Sequence, residues 1–84
     1  MRHATSATLD RLAPFLDRIR RLPGLRECKR GAFYRGGAGW LHFHEDPAGL
    51  FADLRIGGAF ARFPLNTAAQ RTALLKRLRA SLEA

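Results

Sequence analysis

His42 and His44, in the run Trp-Leu-His-Phe-His-Glu-Asp at 40–46, are the densest chemistry in this chain. On an extended segment, residues two apart share a face, so both imidazoles project toward whatever the next strand offers. A carboxylate there, Asp53, would complete a two-histidine, one-carboxylate set of the kind that suits zinc or non-haem iron. His42 with Asp53 also has the form of a general base and its orienting carboxylate. No nucleophile accompanies that pair. Ser6, Ser81 and the threonines lie in the terminal regions, and Cys28 precedes or begins the first strand. The Gly-rich run at 35–40 lacks the Lys-Ser/Thr of a phosphate loop. No catalytic residue and no cofactor is assigned, and His42, His44 and Asp53 stay as metal candidates behind a simpler reading, cross-strand polar pairing.

These residues need a scaffold, and the periodicity supplies one. Leu9, Leu12, Leu16, Ile19 and Leu22 recur at spacings of three and four, which predicts an amphipathic helix with Arg11, Asp17, Arg18 and Arg21 turned outward. Ser6 or Thr8 caps its start and Pro23-Gly24 stops it. Pro14 either kinks that helix or opens its main part from the first turn. At the other end, Thr67 and Gln70 form a capping box ahead of a stripe through Leu74 or Leu75, Leu78 and Leu82. Between them, turn signals recur at Gly36–Gly39, Asp46–Gly49 and Gly57–Gly58. Strands are expected near 27–35, 40–45, 50–56 and 59–64. The fold class is α+β, a helix, a four-stranded antiparallel meander and a helix, with both helices on one face of the sheet.

Closing each turn between its nearest flanking residues pairs Arg35 with Trp40, Glu45 with Leu50 and Ile56 with Ala59. One face then collects Ala32, Tyr34, Leu41, Phe43, Leu50, Ala52, Leu54, Ile56, Ala59, Ala61 and Phe63, nearly all apolar, and meets the helices. The other face carries a row of Phe33, His42, Asp53 and Arg62, a second row of Arg35, Trp40, Arg55 and Phe60, and His44 beside Phe51. In the first row Asp53 stands between His42 and Arg62 and can accept from both. In the second, guanidinium alternates with aromatic ring, an arrangement suited to cation–π stacking.

The bulk numbers bound the rest. Eighty-four residues, 46% of them hydrophobic, make a single ordered domain, residues 1–5 being a loose tail. A lone cysteine excludes an internal disulfide. No run of about 18 apolar residues could span a bilayer and no secretory leader opens the chain, so a cytoplasmic, membrane-free protein is expected. The net charge is +8, from 13 Arg and two Lys against seven acids. Residues 1–30 contribute eight bases and three acids, residues 66–84 four bases and one acid, and the middle of the chain is neutral.

Leu-Pro-Gly-Leu at 22–25, Phe33, the run from Trp40 to Arg55 and the following helix together resemble the small bacterial luciferase-like domain family. The resemblance covers about half of the chain. It implies a shared Leu-Pro-Gly after the first helix, a His-x-His strand, a short acidic turn and an Asp on the next strand, here His42, His44, Asp46 and Asp53. It brings no catalytic assignment.

Phe33, Trp40, Phe51 and Phe60 on an uncovered sheet face would form an apolar patch flanked by Arg35, Arg55 and Arg62, and such patches mark interaction sites. The function expected is therefore a small basic interaction module that self-associates, most simply as a homodimer, or binds another protein. Single-stranded nucleic acid is the alternative, given the charge and the interleaved aromatics.

Overall fold

Pro14 decides how the N-terminal helical segment divides. In the computed structural model, which describes residues 2–83, a first helix (α1, Ser6–Arg11) ends at Leu12, and a second (α2, Ala13–Arg20) starts there with Pro14 in its first turn. A first-turn proline loses nothing, because its missing N–H would have no helical acceptor. The backbone bonds Leu12 N to Thr8 O (3.2 Å) and Leu16 N to Leu12 O (2.9 Å) carry the chain across the joint. The cap of α1 is neither Ser6 nor Thr8 but Thr5, whose Oγ1 accepts from the Thr8 N–H at 3.3 Å.

Six strands form one antiparallel sheet: β1 (Arg2–His3), β2 (Arg26–Lys29), β3 (Ala32–Arg35), β4 (Ala38–Asp46), β5 (Gly49–Ile56) and β6 (Ala59–Pro64). Their spatial order is β2-β3-β4-β5-β6, and β1 pairs with β4 beyond the end of β3. Helix α3 (Ala68–Glu83) closes the described chain. The α+β class and the antiparallel sheet are those expected from the sequence, but three helices and six strands replace the helix, four strands and helix. The single strand expected over 27–35 is a hairpin, broken at Arg30–Gly31, where Gly31 has φ +78°. The tail expected at 1–5 is tied down over residues 2–5, by the pairs Arg2–Glu45 and His3–His44 and by Ala4 N donating to Phe43 O at 3.0 Å. Met1 lies outside the described residues.

Two of the three expected turns close as read, Glu45 facing Leu50 and Ile56 facing Ala59. The third does not. Gly36 and Gly37 take φ of +59° and +82°, making a tight two-residue turn of the kind two glycines favour. Arg35 consequently pairs with Ala38 rather than Trp40. The ladder then slips: Tyr34 faces Gly39 while Phe33 faces Leu41, leaving Trp40 as the extra residue of a β-bulge. The bulge lets Trp40 and Leu41 both turn inward. It gives up about one ladder bond, worth about 1 kcal/mol, whereas burying an indole contributes roughly 4–6 kcal/mol. The indole wins.

The core therefore contains Trp40 and Phe33, 4% and 1% exposed, which corrects their expected place on the open face. Around them lie Leu9, Leu12, Phe15, Leu16 and Ile19 of the N-terminal helical segment, Leu74, Leu75 and Leu78 of α3, and Leu41, Phe43, Ala52 and Leu54 of the sheet. Arg35 moves to the helical side as well, where its Nη1 donates to the Ser81 carbonyl near the C-terminus of α3 (3.2 Å), a favourable place for a cation. Tyr34, expected in the core, goes to the opposite face. Ile56 and Ala59, also assigned to the core face, are exposed at its margin.

Candidate functional site: the open face of the sheet

The face turned away from the helices is built by alternation along β4, β5 and β6, whose register is that expected: His42 opposite Asp53, His44 opposite Phe51, Asp53 opposite Arg62 and Arg55 opposite Phe60. Phe33, Arg35 and Trp40 leave this face, and Tyr34 and His3 join it. What results is a band of π systems across four strands. Tyr34 and His42 have ring centroids 6.4 Å apart, His42 and Phe60 5.4 Å apart, and the Arg55 guanidinium sits 4.5 Å from the centre of the Phe60 ring. Arg55 is fixed there because its Nε donates to the Gly39 carbonyl at 2.7 Å. Phe60 is 44% exposed, the most exposed large hydrophobic side chain among the described residues.

Below that band lies a charged row. Asp53 accepts two bonds from Arg62, Nε to Oδ1 at 2.8 Å and Nη2 to Oδ2 at 3.0 Å, a fork geometry that fixes both side chains. The imidazole against Asp53 is that of His44, whose Nε2 lies 3.2 Å from Oδ2. His42, directly opposite Asp53 in register, turns the other way. Its Nε2 is buried without a hydrogen-bond partner among the described residues, and it packs over Gly39, where a Cβ would approach Nε2 to 3.0 Å. The imidazole expected against Asp53, His42, is thus replaced there by His44, one alternate position along the strand. His3 from β1 stacks on His44 with centroids 4.7 Å apart and lies 6.5 Å from His42.

The electrostatics follow from these contacts. Arg62 holds the Asp53 carboxyl below the usual carboxylate range, against the cost of burial. His42 and His44 are both pushed below the ordinary imidazole value, first by burial and then, for His42, by its histidine neighbours. Near neutral pH the two are uncharged, and the Asp53–Arg62 pair cancels. Arg55 is the cation of the band that forms no ion pair among the described residues.

Other candidate residues take structural roles. Asp46 Oδ1 accepts from the Ala48 N–H at 2.8 Å and shapes the turn. Glu45 Oε1 accepts from the Thr5 N–H (2.6 Å) and the Thr8 hydroxyl (3.0 Å), pinning the start of α1 to the sheet, and those bonds hold its carboxyl below the ordinary range. Cys28, expected to precede or begin the first strand, lies within β2 and is exposed at a bulge there. Among the described residues, no group of three or more His, Cys, Asp or Glu side chains is arranged to hold a metal ion. Where β4 passes from β3 to β1 a cavity of about 420 Å³ opens, with His3, Tyr34, His42 and Lys29 on its walls and Leu9 and Phe43 beneath.

Sequence reasoning missed Tyr34 and His3. Gly39 was the signal for the first, since a glycine inside a strand marks a bulge or a close approach. For His3 there was none, because two residues carry no periodicity. No helix among the described residues is long and apolar enough to cross a membrane. Comparison with family models, with curated proteins and with solved structures returned no significant match.

Proposed function

We propose that this chain is an interaction module that self-associates through the open face of its sheet. The observation that carries the reading is the band Tyr34–His42–Phe60–Arg55. Solvated sheet faces ordinarily present alternating polar side chains, whereas this one presents contiguous rings and a guanidinium, the groups enriched at binding hot spots. Beside that band Asp53 and Arg62 are paired with each other, so closing the middle of the face against an apolar or aromatic partner surface strands few charges there. A second copy offers the simplest complement: the two faces would lie about 10 Å apart around a twofold axis, each Phe60 meeting the partner's ring band. The resemblance to the luciferase-like domains supports attention to the His42–His44 strand and adds no chemistry to it.

A single-strand nucleic-acid reading of this face has rings enough, but only Arg55 as an uncompensated cation within the band, and backbone contacts need more. Sedimentation velocity at micromolar concentration tests the proposal. The native chain should run as a dimer, and Phe60→Glu, which places a charge in the ring band, should run as a monomer with unchanged secondary structure. A native monomer, or a dimer indifferent to Phe60→Glu, rules the reading out.

A further inference from the structure

A cluster of cations, unpaired among the described residues, stands on the other side of the molecule. Arg18 and Arg21 on or just after α2, and Lys76 and Arg79 on α3, line one groove between the two helices, of about 440 Å³. Each pair is spaced i, i+3, which puts its members on one side of the helix. Leu22 and Leu75 lie along the same groove, Thr72 adds a hydroxyl, and no carboxylate lines it. All four cations are exposed, and none forms an ion pair among the described residues.

That contrasts with nearby arginines. Arg20, one residue from Arg21, is bound by both Glu27 and Asp17, and Arg30 is bound by Asp10. The acids thus neutralise their neighbours and leave the groove bare. Four like charges held together on rigid helices repel one another, and an anion entering between them relieves that repulsion.

We propose that the α2–α3 groove binds the phosphodiester backbone of double-stranded nucleic acid. Charge complementarity selects a polyanion, because four spread cations match a row of phosphates better than one small anion. The lining selects the duplex over a single strand. Single-strand sites stack bases on aromatic rings, and this groove has none, while its Arg, Lys and Thr side chains are the types that contact phosphate without reading bases. Binding is accordingly independent of sequence and strongly dependent on salt. This inference is separate from the sheet-face proposal: the two surfaces share no residue, and either can fail alone.

Fluorescence anisotropy with a labelled 20-base-pair duplex of arbitrary sequence tests it. Four phosphate contacts give a slope of log K against log salt of about −3.6, hence a roughly hundredfold loss of affinity between 50 and 200 mM salt. Arg18→Gln/Lys76→Gln, one cation from each helix, should halve that slope. Arg26→Gln/Arg77→Gln removes the same charge outside the groove and should leave the slope at its native value. All four positions are exposed, so circular dichroism should confirm that both variants are folded. The proposal is overturned by absence of duplex binding at about 50 mM salt, by equal weakening in both double variants, or by tighter binding to vesicles of anionic lipid than to the duplex.

Discussion

The open sheet face and the α2–α3 groove show two ways of carrying charge in one small domain. In the middle of the sheet face charge is cancelled except at Arg55: Asp53 holds Arg62 and faces His44, and the histidines are kept neutral by burial. Arg26 and Lys29, unpaired among the described residues, stand at the margin on β2. In the groove, four cations stand together with no carboxylate among the lining residues. A surface that cancels its own charge can be covered by an apolar or aromatic partner without stranding ions. A surface left uncompensated lowers stability and attracts anions. The net charge of +8 by itself distinguishes neither surface; the difference lies in which cations the acids reach.

The sharpest probe of the sheet is to separate its two sides. Trp40→Ala should cost about 3–5 kcal/mol, the range for removing a large buried aromatic, while Phe60→Ala, on the open side, should change monomer stability by no more than about 0.5 kcal/mol. Urea denaturation of both variants at low protein concentration reads the difference. Similar midpoints would mean that the bulge at Trp40 does not exist in solution.

Acid should act next most strongly, and first on the sheet face. His42 and His44 have folded pKa values below the ordinary value of about 6.5. Their unfolded forms therefore take up protons first, and stability, complete above that value, falls as pH drops from it through the folded values. Asp53 behaves differently, because its contribution is complete above the ordinary carboxylate pKa of about 3.9 and fades only below it. Denaturation midpoints should thus begin to decline as pH falls below about 6.5, and His42→Gln/His44→Gln should flatten that first decline. A flat native profile below that pH would contradict the burial of the two imidazoles.

The smallest effect belongs to the groove. Sodium chloride should stabilise the native chain by screening the repulsion among Arg18, Arg21, Lys76 and Arg79, by about 1 kcal/mol at most for the two like-charged helical pairs together. Arg18→Gln/Lys76→Gln should be more stable than the native chain at low salt and less responsive to added salt. If the native midpoint does not move with salt, the four cations are not coupled.

What the sequence made legible follows the range over which each signal acts. Thr67 and Gln70 form the capping box their spacing announces, with Thr67 Oγ1 accepting from Gln70 N at 3.1 Å and Gln70 Oε1 accepting from Thr67 N at 3.1 Å. The turns at 46–49 and 56–59 fixed β4–β5–β6, so the Asp53–Arg62 and Arg55–Phe60 neighbours were readable from alternation alone. β3 was not. A two-glycine turn and one extra residue at Trp40 reversed the facing of Phe33, Tyr34 and Arg35 together, and the cause was tertiary, the gain from burying an indole under the helices. Which imidazole meets Asp53 was equally hidden, since it depends on side-chain rotation rather than on register. The cationic groove was invisible for a related reason: Arg18 and Arg21 read as solvent-facing, and only packing of α2 near α3 makes them neighbours of Lys76 and Arg79.

The bulge at Cys28 has a meaning for crowded solutions. A sheet that ends in regular, unpaired strands invites other chains to extend it, the first step toward fibrils. Here β2, one outer strand, is four residues long, distorted between Glu27 and Lys29, and carries Arg26 and Lys29. At the other margin, β6 ends at Pro64, which has no N–H to offer a newcomer. With both margins blunted in this way, strand-by-strand extension is disfavoured, and a concentrated solution of this basic protein should stay clear of β-rich aggregate.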